Sequence, residues 1–151
     1  MTEALAATPG DVVAIGSDHA GVELKSTLAG DLAAMGFKVL DVGTNGTASV
    51  DYPDFGKAVA TAVKDGKAKA GVVVCGTGIG ISIAANRVSG IRAALVHDTF
   101  TAAMAREHND ANVLALGARV ISPETARNAL KTFFSTPFGG GRHAGRVAKL
   151  G

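Results

Sequence analysis

The chain has 151 residues, with 15 basic and 13 acidic side chains and a formal net charge of +2. That length suits one domain, residues 1–151, with a substantial core, while so small a charge gives no footing for nucleic-acid binding. A single cysteine excludes an internal disulfide framework and fits a reducing, cytoplasmic setting.

Residues 1–10 lack the basic and apolar regions of a signal peptide and read as a short extension. A first strand is predicted over 11–16 and a first helix over about 21–35, where Val22, Leu24, Leu28 and Leu32 approximate one face. Gly36 suits a C-cap before a second strand at 37–42. A polar loop at 43–49 leads to Asp51-Tyr-Pro-Asp-Phe, where Pro53 fits the first turn of a helix ending near 64. The valine run up to Cys75 predicts a third, buried strand, and a helix follows over about 80–88. Further strands are expected at 91–96 and 112–116, with a helix at about 99–108 between them. Ser122 and Pro123 mark the N-cap and first residue of a fifth helix. Residues 139–151 form a glycine joint and a basic tail carrying Arg142 and Arg146, with a short final helix. The uncharged stretch 70–86 is too short and too glycine-rich to span a membrane.

Strict alternation of strand and helix predicts an α/β fold with a parallel sheet covered on both faces. Ligands of such sheets bind beyond the carboxyl ends of the strands. Asp18 and His19 follow strand one, the Cys75 loop follows strand three, and Arg119 follows strand five. Asp51 and Tyr52 lie in the loop before helix two. Each admits a plain structural account: Asp18 or Asp51 as a cap, Arg119 as a surface charge, Asp98 as the cap of helix four. The sequence also suggests that two further groups reach the same edge. They are His108 with Asn109 at the end of helix four, and Arg142 with Arg146, four apart on one helix face and suited to a phosphate.

Gly76, Gly78 and Gly80 permit a sharp turn and close approach of a ligand. The helix opening behind them presents backbone N–H groups as an anion cup. A thiol in that positive field favours the thiolate, although a lone cysteine is as readily a small buried hydrophobe. Gly-x-Gly after a strand imitates a dinucleotide-binding turn, but the third glycine would have to stand at Ile81, and no Walker lysine follows. A small phosphorylated ligand fits better.

Gly16-Ser-Asp-His-Ala-Gly21, Asp51-Tyr-Pro53, Cys75-Gly-Thr-Gly-Ile-Gly-Ile-Ser82, Arg106-Glu-His-Asn-Asp110 and Gly141-Arg-His-x-x-Arg146 together resemble the type B ribose-5-phosphate isomerases. That family also holds allose-6-phosphate and galactose-6-phosphate isomerases. The resemblance implies a three-layer α/β/α sandwich around a Rossmann-like five-stranded parallel sheet. It implies no metal or organic cofactor, a sugar-phosphate substrate, and a homodimer or tetramer whose sites draw on both subunits. By position it implies Cys75 as the base, Thr77 beside it and His108 as the ring-opening group. Gly76, Gly78, Gly80 and Ser82 correspond to the enediolate cup, and Asp18, Tyr52 and Asn109 to hydroxyl-binding positions. Asp51 belongs to the substrate loop, while His19, Arg119, Arg142 and Arg146 correspond to the phosphate set. A different sugar phosphate, or a binding domain without catalysis, remains open at this point.

Overall fold

The structure, a computed structural model, describes residues 4–151. The strands are β1 (Val12–Ser17), β2 (Lys38–Asp41), β3 (Ala70–Cys75), β4 (Ala93–Leu95) and β5 (Val113–Gly117). All pair in parallel, in the order β2-β1-β3-β5-β4. The three inner strands carry the longest apolar runs, and β3 is buried along its whole length, as a strand covered on both faces must be. The outer strands are shorter and half-buried. The observed β4 is three residues long, against the six expected at 91–96: the Arg92 carbonyl still accepts from the Asn112 N–H at 3.1 Å, but the Arg92 N–H donates to the Asn112 side chain at 2.8 Å rather than to a backbone carbonyl.

The helices are α1 (Val22–Ala34), α2 (Tyr52–Lys64), α3 (Ile79–Asn86), α4 (Thr99–Glu107), α5 (Pro123–Ser135) and α6 (Arg142–Ala148), with a 3-10 turn over His19–Gly21. Alternating side chains of each inner strand supply two cores. Val13, Ile15, Val72, Val74, Leu114 and Leu116 pack with Leu28 and Leu32 of α1, Ala102 and Ala105 of α4, and Leu130 and Phe133 of α5. Ala14, Val73, Cys75, Val113 and Ala115 pack with Val59 and Ala60 of α2 and Ile81 and Ala85 of α3. The result is an α/β/α sandwich. Ser122 caps α5 by accepting from the Thr125 N–H at 3.1 Å. Asp98 caps α4 in a reciprocal box with Thr101; those bonds hold its carboxyl below the usual aspartate range.

The N-terminal segment, read from sequence as an extension without a role, is part of the fold from Ala4 onward; residues 1–3 lie outside the described residues. Ala6 and Ala7 are buried against the α1/α5 core. The Ala4 carbonyl accepts from the Phe138 N–H at 2.9 Å and from Arg106 Nη2 at 2.8 Å. Among the described residues, no helix is long and apolar enough to cross a membrane.

Candidate active site

β1 is flanked by β2 and β3, so the chain leaves it in one direction and later returns on the other. The crevice between the carboxyl ends of β1 and β3 is the switch point where ligands of open α/β sheets bind. Cys75 ends β3 there, 4% exposed. Its Sγ accepts a hydrogen bond from the Gly78 N–H at 3.1 Å. Gly78 has a φ of 79°, a left-handed conformation that side chains disfavour, and this turn directs its amide back at sulfur. Thr77 Oγ1 accepts from the Ile79 N–H at 3.2 Å, and the Ser82 hydroxyl donates to the Ile79 carbonyl at 2.7 Å. Part of the expected anion cup is thus engaged within the loop.

The neighbours close in from three sides. The Arg119 N–H donates to the Gly76 carbonyl at 2.9 Å, and its guanidinium lies over Gly76, with Nη1 3.3 Å from where a Cβ would stand. The Tyr52 ring packs directly on the Gly80 backbone, leaving no room for a side chain there. Asp18, 7% exposed, accepts from the Ala20 N–H at 3.0 Å, so it does cap the short turn, while its own N–H donates to the Val74 carbonyl at 3.2 Å. His19 Nδ1 accepts from the Val50 N–H at 3.2 Å. Asp51 occupies the N-cap of α2 with its carboxylate unbonded to the helix.

Gly117, opposite Cys75 in the sheet, has no place for a side chain: a Cβ would overlap the Thr77 carbonyl. Gly117→Ala should therefore displace the turn that carries the thiol. Expected are a loss of about 1–3 kcal/mol in stability from overpacking and at least about tenfold in turnover from misplacement. Thermal melts read beside steady-state kinetics test both.

The other expected site residues do not reach this edge within one chain, which corrects the expectation that they do. A helix leaving the carboxyl end of β4 must run back toward the amino ends of the strands. His108 and Asn109 therefore follow α4 at the opposite edge, just before β5 begins. The five residues of β5 separate the two edges by about 17 Å at 3.3–3.4 Å per residue. The tail joins this second group: the Gly139 N–H donates to the Glu107 carbonyl at 2.9 Å, which sets α6, with Arg142 and Arg146, beside His108.

Arg106, 1% exposed, braces that end. It donates to Asp110 Oδ1 at 2.9 Å, the Ala111 carbonyl at 2.7 Å and the Thr136 carbonyl at 3.2 Å. Burial lowers its pKa, against the opposing pull of Asp110. His143, which stands in the Gly141-Arg-His-x-x-Arg146 motif without an assigned role, stacks its ring on His108 with centroids 4.4 Å apart and planes at 16°. Desolvation, then the neighbouring His108, Arg142 and Arg146, hold His143 below the usual histidine range, partly offset by Glu107. The only cue in the sequence was its place between two candidate arginines. Among the described residues, no three His, Cys, Asp or Glu side chains gather as a set that could hold a metal ion.

The fold and the thiol at its switch point define an α/β protein with a ligand crevice beyond the carboxyl ends of β1 and β3, and comparison with known proteins narrows that class. The ribose/galactose isomerase family profile matches residues 13–150. The chain is 42% identical over 138 residues to ribose-5-phosphate isomerase B of Escherichia coli, covering 91% of this chain and 93% of that one. It is 46% identical over 140 residues to D-erythrulose-4-phosphate isomerase of Pectobacterium atrosepticum, covering 92% of each. The solved ribose-5-phosphate isomerase B of Clostridium thermocellum superposes with a TM-score of 0.91 at 54% identity, covering 93% of this chain and 95% of that one. The chain belongs to the ribose/galactose isomerase family and is a sugar-phosphate isomerase.

Proposed function

We propose that this chain interconverts D-ribose 5-phosphate and D-ribulose 5-phosphate through an enediolate, in sites assembled from two copies of the chain. The observation that carries the reading is the Cys75 thiol at the β1/β3 switch point, its sulfur held by the Gly78 amide. As thiolate it takes the proton from the carbon beside the carbonyl and returns it to the neighbouring carbon. A base near its working pKa contributes about 10²–10⁴-fold, and donors preorganised around the developing oxyanion contribute comparably or more. The Thr77 hydroxyl and the Gly76 and Gly80 backbone form that surround, while Gly78 and Ser82 hold the loop in shape through their bonds to Sγ and the Ile79 carbonyl. Asp18, Asp51 and Tyr52 take sugar hydroxyls, and His19 and Arg119 face the phosphate.

A base and a ring-opening group must both reach the same sugar, and one chain holds them at opposite edges of its sheet. A second copy that brings its own His108, Asn109, Arg142 and Arg146 to the Cys75 edge completes the site. The exposed apolar side chains of Tyr52 (42%), Ile79 (52%) and Ile83 (59%), beside the thiol loop, support such a subunit contact. Each C2 pairing then yields two equivalent sites.

The test is turnover of ribose 5-phosphate without added cofactor, measured beside a panel of allose, galactose and tetrose phosphates. Ribose 5-phosphate is expected to give the highest kcat/KM. The relative from Pectobacterium, named for a four-carbon ketose phosphate, favours a tetrose phosphate as the second reading, and a higher kcat/KM on that substrate would select it.

His108 is expected to act on the closed ring. His108→Ala should lower turnover of cyclic ribose 5-phosphate by about 10²-fold and that of an acyclic substrate by much less. Equal losses on both would assign His108 to binding alone.

A further inference from the structure

We propose that Lys25 is a positioning residue for the substrate edge: its buried ammonium holds the 42–51 loop, and the loop in turn sets which nitrogen of His19 carries the proton. The proposal rests on the reading of His19 as part of the phosphate-binding set.

Lys25 lies in α1 beside Leu24 and Leu28 and is only 2% exposed. An ammonium is expensive to bury without partners, and two partners are built around it. Nζ donates to Asp41 Oδ2 at 2.6 Å and to Asn45 Oδ1 at 2.7 Å. The other Asp41 carboxylate oxygen accepts from the Gly43 N–H at 2.8 Å. One charge therefore ties the end of β2 to the first residues of the loop.

The same loop meets the site twice. The Ser17 N–H donates to the Gly43 carbonyl at 2.8 Å, and the Thr44 N–H donates to the Ser17 carbonyl at 2.9 Å, which pins the chain immediately before Asp18. Further along, the Val50 N–H donates to His19 Nδ1 at 3.2 Å. A ring nitrogen that accepts carries no proton, so in the neutral imidazole the hydrogen sits on Nε2. That leaves Nε2–H as the donor His19 can offer a phosphate oxygen. Both Lys25 hydrogen bonds go to Asp41 and Asn45, so its influence on His19 passes through the loop.

Lys25→Met keeps the aliphatic stem and removes the charge; it leaves Asp41 without its partner, a destabilising change that is eased because the Asp41 side chain is 36% exposed and can be solvated. The tautomer of His19 can be read from long-range nitrogen–proton NMR spectra at a pH where the ring is neutral. The Nε2–H form is expected in the unaltered protein and a mixture of both forms in Lys25→Met. KM for the sugar phosphate should rise about tenfold, with kcat changed less than about threefold. In a His19→Ala background, adding Lys25→Met should raise KM by much less than it does alone, since the route through His19 is already cut. A folded Lys25→Met protein with an unaltered His19 spectrum, or losses that multiply in the double variant, would overturn the proposal. If Lys25→Met does not fold, Asn45→Ala removes one of the two acceptors and is read in the same way. The nitrogen spectrum needs no substrate, so it separates failure of this proposal from failure of the isomerase reading.

Discussion

Cys75→Ala is expected to lower kcat by about 10²–10⁴-fold, the range over which a positioned base contributes, while the protein stays folded. The two halves of that expectation have separate causes. The thiol side chain is small and shares its packing with Val59, Ile81 and Ala115, so removing one sulfur should cost on the order of 1 kcal/mol, the centre of the range for point substitutions. The bond from the Gly78 N–H to sulfur is lost with it, and leaving that buried donor without a partner costs about a further 1–3 kcal/mol. Turnover has no replacement for the thiol, because the proton must leave and return to carbon through one group. As the chain holds one cysteine, iodoacetamide should add a single label, abolish activity in step with labelling, and be slowed by bound sugar phosphate. At 4% exposure the free thiol should label slowly. Near-normal kcat in a folded Cys75→Ala protein would assign proton transfer to another group.

Much of this arrangement is legible in the sequence because local chemistry decides it. The valine run before Cys75 can only be a strand buried on both faces, and Ser122-Pro123 can hardly be other than a helix start. The placement of the thiol at a carboxyl edge follows from those two kinds of signal. Lys25 is different: its spacing from Val22 and Leu28 puts it on the apolar face, but lysine as a residue type reads as solvated, and its partners Asp41 and Asn45 stand 16 and 20 residues away. Only the tertiary fold brings them together. The insertion of β5 between β3 and β4 is equally invisible to periodicity, since a skipped neighbour leaves the strand pattern unchanged. The N-terminal segment buries only Ala6 and Ala7, too little apolar surface to announce its burial. The position of His108 was deducible, however, for a helix after a parallel strand must end at the opposite edge.

That last point makes mixed oligomers the most discriminating test of the proposed site. Arg142→Ala/Arg146→Ala chains keep Cys75 but lose both guanidiniums of α6, and Cys75→Ala chains do the reverse. Each should be nearly inactive alone. The arginine variant should fail chiefly through a raised KM and a lowered kcat, because remote phosphate binding aligns the reacting carbons. Its stability should hardly change, as both arginines are exposed and exposed charges contribute little to folding. In a mixed dimer one site pairs the intact Cys75 of the first chain with the intact arginines of the second, and the other site lacks both. Equal mixing with random pairing puts half the dimers in the mixed form, so about one quarter of all sites become complete. Activity should therefore return to about one quarter of the unaltered level after subunit exchange, with mixed dimers verified by differently tagged chains. If base and arginines served a site within one chain, no mixture could contain a complete site, and verified mixed dimers would stay inactive. The roughly 17 Å that β5 sets between the two edges is what makes the two outcomes so unequal: a sugar phosphate spanning one chain would have to stretch the length of its sheet.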